Sequence, residues 1–420
     1  MAAADVTQVA ERVPTEFRHY WRAAERPGVR TARAVARRVF GMDLLPDEDR
    51  VLRFAQGYYD ADPLADAFVA EVYMTGGARR ARAMLDQALA HGVEAVPDAP
   101  EPLVRLFAQI DEEPAWLDRE RSALGATVFR RLGVPGLCFA GAGQLVGFTE
   151  NAGVKPLAMH GGYVGASALY RLMETARFWI DTTEPGGLEP GAPGRAIAVR
   201  VRIMHAVIRH RLNRHPEWDH DAWGVPISQS ESIGPLVGSA VPLAYGAKVA
   251  GLRSTRAEAE ALLHFWRHVG HLMGVTPRWF PADLRECLQY LAMFRLSRAF
   301  TGGDDTTEII ESYPRAFVPR PGTPLPRRLR DEVNYRAQLG YTRLAIGSLY
   351  RRYDMPSPWP WALHPFLQWP VNFAATTLAR HDPRAARLLD RYQRWRRQTW
   401  WRNGMGDTTP AYTAAETLRR

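Results

Sequence analysis

The 420-residue sequence predicts an all-α fold, and three observations support that prediction. Apolar residues recur three and four apart over long stretches. Capping and breaking residues stand at the ends of those stretches. No run alternates apolar and polar residues strongly enough to build a sheet. Residues 64–93 (LADAFVAEVYMTGGARRARAMLDQALAHGV) are rich in Ala, Leu and Arg at helical spacing, with an interruption at Gly76-Gly77. Residues 163–182 and 195–213 continue the pattern without an interior proline. Residues 255–274 open on Thr255 as an N-cap with Glu258 three residues later, a capping box. Residues 281–300 place Pro281 at a first helical position and run amphipathically to Phe300.

Breaks fall at 185–194 (PGGLEPGAPG), a loop, and at 314–326 (PRAFVPRPGTPLP), a candidate linker. Residues 327–380 return to a partly helical apolar pattern and belong to the same domain. The expected organisation is an N-terminal extension over 1–40, a main domain over 41–384 and a C-terminal helical tail over 385–420. In that tail the run RYQRWRRQTWWRN reads as a helix docked through its tryptophans. No nucleic-acid fold motif accompanies it.

The net charge is +9, yet only Lys155 and Lys248 among the 54 basic residues are lysines. So strong an arginine skew fits a GC-rich genome, and the charge is spread along the chain rather than gathered for nucleic acid. Cys138 and Cys287 are too few for a disulfide framework or a four-sulfur zinc site and read as small core residues. The first residues (MAAADVTQVAERVPTEF) lack the apolar region of a signal peptide. Arg37-Arg38 precedes no long apolar run. No window reads as the ~18 apolar residues of a membrane span. A cytoplasmic bacterial protein is expected.

The segment Arg202-Ile203-Met204-His205-Ala206-Val207-Ile208-Arg209 concentrates the chemistry. On a helix Arg202, His205 and Arg209 share a side, because they stand three and four apart. Their neighbours are apolar, so two arginines there need anions. A haem offers an iron for the neutral imidazole and propionates for the guanidinium groups. A core histidine with arginines paired to local acids fits the spacing as well. His205, His210, His215 and His220 recur every five residues and so fall on different faces. His264, His268 and His271 share a face and form an alternative metal triad, without the general-base glutamate of a zincin helix.

The segment RVRIMHAVIR followed by Trp223-Gly224-Val225-Pro226-Ile227-Ser228-Gln229-Ser230-Glu231 resembles the core of the latex-clearing proteins (rubber oxygenases) and related MpaB-type oxygenases. Arg171-Leu172-Met173-Glu174-Thr175 resembles the family's R-L-x-x-T helix. Residues 265–274 (FWRHVGHLMG) resemble its W-R-x-x-G-x-x-x-G helix, and Leu325-Pro326 with Leu329-Arg330 resembles a later L-P and L-R stretch. The likeness runs over roughly residues 55–380. It implies a globin-like all-helical core around one haem b, with His205 as the axial iron ligand. Arg202 and Arg209 would hold the propionates, and Arg171 and Thr175 would lie on the oxygen-binding side.

Some members carry a lysine just before the distal threonine that can occupy the iron. Here Glu174 stands there, and Lys155 lies near the family's upstream distal glutamate, so the charges are exchanged. The resemblance implies an oxygenase that takes dioxygen and an apolar small molecule, lined by Leu172, Met173, Phe178 and Trp179, and cleaves a carbon–carbon double bond. With Glu174 beside the site as a third catalytic candidate, hydroxylation or desaturation is an alternative. A haem carrier or gas sensor and a zinc enzyme on His264, His268 and His271 are the readings from other classes.

Overall fold

The computed structural model describes residues 13–160, 165–406, 410 and 412. Residues 1–12 of the expected extension, the start of the expected 163–182 helix and the end of the tail lie outside them. Among the described residues every regular element is helical and no strand occurs. The helices that matter below are α1 (Pro27–Phe40), α2 (Glu48–Gln56), α3 (Pro63–Phe68), α4 (Ala78–His91), α5 (Glu101–Asp111), α6 (Arg119–Gln144), α7 (Asn151–His160), α8 (Ala168–Thr182) and α9 (Pro193–Leu212). After them come α10 (Gln229–Gly238), α11 (Arg256–Leu272), α12 (Leu284–Ser297), α13 (Gly303–Arg315), α14 (Leu325–Ile346), α15 (Trp369–His381) and α16 (Pro383–Met405).

Helix α6 is the centre, packed by α11, α14 and α16. Two glycines make that crowding feasible. A Cβ at Gly125 would overlap the Ala261 carbonyl oxygen of α11. Gly133 takes φ +60 and kinks α6, and a Cβ there would overlap the Gln393 side chain of α16. Aromatic side chains fill the α6–α11 seam, with Phe129 edge-on to Trp266 at 5.3 Å.

Helix α6 is also apolar enough to qualify as a membrane span. An 18-residue window within Arg119–Thr149 reaches a mean hydropathy of 1.3, which revises the expectation that no window comes near. That apolar surface is mostly spent inside the protein, with 61% of the window buried.

The capping box of α11 forms as expected: Glu258 N donates to Thr255 Oγ1 at 3.1 Å, and Thr255 N donates to Glu258 Oε2 at 2.7 Å. Gly77, at φ +88, makes the break before α4. Pro281 does not open α12. Asp283 does, because its carboxylate accepts from Glu286 N at 2.9 Å and satisfies a terminal N–H. The Pro314 stretch links no separate bodies, since Pro314 lies in the last turn of α13 and α13 packs on α14.

Parts of both ends of the described chain pack into the interior, while α1 is mostly exposed. Val13, Phe17 and Tyr20 sit in the main core. Arg397 of α16 is fully buried and bonds Thr183 Oγ1 at 2.9 Å and Glu184 at 3.0 Å. Arg130 of α6 reaches Asp390 of α16 at 2.7 Å and the Thr183 carbonyl at 2.6 Å. Cys138 and Cys287 are buried free thiols.

Gly125→Val places a branched side chain against the α11 backbone. It is expected to destabilise the fold by about 1–3 kcal/mol, read as a lowered midpoint in thermal or urea unfolding.

Candidate functional site

Helix α9 starts at Pro193, whose missing N–H costs nothing at a first helical position. It packs against α8 on one side and α3 on the other. Arg202 and Arg209 turn toward α3. Arg202 is buried; its Nε and Nη2 donate to the Asp62 carboxylate at 2.7 and 2.9 Å, and its Nη1 donates to Gln109 Oε1 at 2.6 Å. Arg209 donates from Nε to Asp66 at 2.9 Å and from Nη1 to the Ile227 carbonyl at 3.0 Å. Both guanidinium groups are therefore committed to protein acceptors. The expected propionate role is corrected on this point: Asp62 and Asp66, inconspicuous in the sequence, supply the anions that two buried arginines require.

The residues of the WGVPISQSE segment build this clamp. Gly224 takes φ +75, where a Cβ would overlap the Tyr58 carbonyl, and Val225 N donates to that same oxygen at 2.8 Å. Gln229 Nε2 donates to the carbonyls of Ala61 at 2.8 Å and Gly274 at 3.0 Å, while its Oε1 accepts from Thr276 N at 2.8 Å. Gly274, at φ +72, leaves room for the ion pair, because a Cβ would run into Asp62 and Arg202.

His205 differs from its arginine neighbours. It is half-buried and has no hydrogen-bond partner, and its ring nitrogens are not among the sealed, unpaired atoms. Burial first, then the nearby Arg209 charge, lower its pKa to about 4. The imidazole is neutral at physiological pH, with both nitrogens uncommitted to other protein groups.

On α8, Arg171 Nη1 donates to Glu174 Oε2 at 2.6 Å, and Thr175 Oγ1 donates to the Arg171 carbonyl at 3.1 Å. Glu174 is buried and also accepts from the Tyr412 backbone N at 3.1 Å. The exchange of charges between Lys155 and Glu174 does not bring those two together, because Lys155 pairs with Asp305 of α13 at 2.7 Å. His160, at the end of α7, has its pKa lowered to about 4 by burial and then by Arg171 and Arg211.

Thr175 lies on the wall of an apolar cleft with Leu172, Met173 and Trp179 of α8, faced by Tyr313 of α13 and Trp400 of α16. The cavity within the cleft is small, about 40 Å³. Glu174, Arg171 and His205 are not on that wall. Phe178 is not either; it stacks toward Trp266 at 6.2 Å and belongs to the core.

The histidine alternatives do not assemble. His264 accepts from Asp118 N at 3.0 Å, His268 bonds Ser122 Oγ at 2.9 Å, and His271 meets Gln109 at 3.2 Å. Among the described residues no group of three His, Cys, Asp or Glu is placed to hold a metal ion. His215 accepts from Glu217 N at 3.3 Å, and His220 contacts the Asn213 carbonyl at 3.4 Å.

The structure adds a polar cluster that the sequence does not announce. Arg298 is buried, makes no hydrogen bond, lies 3.6 Å over the Phe294 ring and is 3.9 Å from Glu231. Glu150 and Glu16 line the same small cavity. Glu150 accepts from Phe300 N at 2.8 Å, and burial raises its pKa to about 7 against the Arg298 charge. Its members come from four distant segments, so no spacing reveals them.

The chain is similar to known proteins. A family model described as "ER-bound oxygenase mpaB/B'/Rubber oxygenase, catalytic domain" matches residues 129–409. A rubber oxygenase from Streptomyces sp. (strain K30) is 28% identical over 235 residues, covering 53% of this chain and 55% of that protein. The chain thus spans about half the length of that relative. A solved structure of latex clearing protein LCP in the closed state superposes with a TM-score of 0.57 at 22% identity, over 81% of this chain and 91% of that one. At that identity the likeness concerns the fold.

Asp62→Ala strands Arg202 as an uncompensated buried charge and is expected to cost about 3–5 kcal/mol. The double variant Asp62→Ala/Arg202→Met should recover most of that loss in urea unfolding. For Glu150, the folded state keeps a proton that the unfolded chain releases between its ordinary value of 4.5 and about 7. Raising the pH through that window therefore lowers stability. Glu150→Gln should remove this component, so its melting temperature falls less than the wild type's between pH 5 and pH 8.

Proposed function

Because the chain belongs to the MpaB/rubber oxygenase catalytic-domain family, we propose that it is a haem b-dependent oxygenase acting on an apolar molecule that contains a carbon–carbon double bond. The observation that carries the reading is His205: a neutral, half-buried imidazole without a protein partner, on the helix that faces α8. A neutral imidazole is the form that ligates iron.

His205 would hold the group. Arg202 and Arg209 would act one step removed, by fixing α9 against α3 so that the ring keeps its direction. When bound, haem b supplies an iron that activates dioxygen for transfer to the substrate double bond.

The chain's own part is to bind, orient and exclude water. Leu172, Met173 and Trp179 offer the substrate an apolar wall, and Thr175 lines it with its hydroxyl bonded back to the Arg171 carbonyl. Glu174 pairs with Arg171 and does not line the cleft. The rubber polymer is the substrate named for the Streptomyces relative. The apolar lining of the cleft suits an apolar chain or one segment of a longer one.

Absorption spectra of the purified protein test this reading. The wild type is expected to show a strong Soret band with stoichiometric iron, and His205→Ala to lose it while keeping its helical circular dichroism. Full haem retention in that variant removes the assignment. Thr175→Ala is expected to keep the spectrum and to lose product formation from dioxygen and an isoprenoid olefin by about 10²-fold.

A further inference from the structure

The Trp/Arg-rich C-terminal run docks only in part. Trp400 and Trp401 of α16 face inward, and the Trp401 indole donates to the Met173 carbonyl at 2.9 Å. Trp395 does not. On α16, Leu388, Tyr392 and Trp395 stand four and three apart and form one outward stripe. On α15, the helix packed against it, Val371 and Leu378 stand seven apart and are exposed as well. These five side chains are exposed by 49% (Tyr392) to 73% (Val371). Such a patch on a packed hairpin needs an explanation.

The charges around it are mostly positive. Arg384, Arg387, Arg391 and Arg396 are exposed on α16 and enter no ion pair. The two acids of the hairpin are already used: Asp382 caps α16 through Arg384 N at 2.8 Å, and Asp390 pairs with Arg130. The stripe is therefore apolar, carries Tyr and Trp, and is bordered by guanidinium groups outside any ion pair, with Arg396 lying 5.8 Å from the centre of the Tyr392 ring. That is the composition of a helix lying in a lipid–water interface, with aromatic rings at headgroup depth and arginines among anionic headgroups.

We propose that the outer face of the α15–α16 hairpin binds an anionic lipid surface. A second copy of the chain fits less well, since two-fold pairing would set four unpaired arginines against four others. Nucleic acid fits less well because aliphatic Val371, Leu378 and Leu388 stack no bases. The same helix reaches the cleft through Trp400, five residues beyond Trp395, so docking would bring a lipid-dissolved molecule near the cleft wall.

The test is co-sedimentation of the full chain with vesicles of phosphatidylcholine alone or mixed with phosphatidylglycerol. Binding is expected to the mixed vesicles and to weaken with salt. Arg384→Gln/Arg387→Gln/Arg391→Gln should weaken it by about 10²-fold. The charge-matched control Arg79→Gln/Arg80→Gln/Arg105→Gln, on another surface, should weaken it far less. Leu388→Ser/Trp395→Ser keeps every charge and should abolish the part of binding that survives high salt. Equal effects of the two arginine sets, or no effect of Leu388→Ser/Trp395→Ser, would overturn the proposal by leaving only diffuse attraction of a basic protein. So would a dimer in sedimentation that these same variants dissolve, or binding to RNA in preference to the mixed vesicles.

Discussion

Much of the arrangement depends on one buried ion pair, Arg202 with Asp62. Burying either charge alone is costly, so the two helices that carry them are held in one register. The surroundings are shaped to this pair. Gly274 gives it space, Gln229 ties the two backbones beside it, and Gln109 takes the remaining guanidinium nitrogen. Such a pair does more for uniqueness than for net stability, because a well-packed apolar substitute would serve the energy as well. What it specifies is the rotation of α9, and with that rotation the direction in which His205 points.

Arginine plays the same structural part elsewhere. Arg130 and Arg397 reach from α6 and α16 to the end of α8 and close on Thr183, Glu184 and Asp390. Several of the chain's 52 arginines are thus interior braces rather than a surface field. The planar fork, with five donors in fixed directions, suits this work better than a lysine ammonium. The exposed arginines of the α15–α16 face, which enter no ion pair, stand apart from that pattern.

Helix type and the sharpest helix ends were legible in the sequence because they rest on local chemistry. The Thr255–Glu258 box and the Gly77 break are decided within four residues. The grouping of Arg202, His205 and Arg209 on one helix was legible from their spacing. The partners of Arg202 and Arg209 were not, since Asp62 and Asp66 lie about 140 residues away and carry no pattern of their own. The reading of α12 failed for a local reason: Pro281 and Asp283 are both good starting signals, and the carboxylate at Asp283 won. Phe178 shares a helix with the cleft residues but points elsewhere, a matter of about one hundred degrees per residue that only the packing settles. The Arg298–Glu150 cluster was illegible for the same reason as the aspartates.

Helix α6 carries a consequence for how the chain is made. Its apolar surface is satisfied by α11, α14 and α16, and the Arg130–Asp390 bond alone spans 260 residues. A ribosome delivers α6 long before it delivers the last of these covers. For the minute or less in between, at ~5–20 residues per second, the most membrane-like stretch of the protein is a bare hydrophobic rod with a kink at Gly133. The nascent chain is then a natural client for a holding chaperone, and its slow step is the arrival of the C-terminal helix rather than the formation of any helix itself.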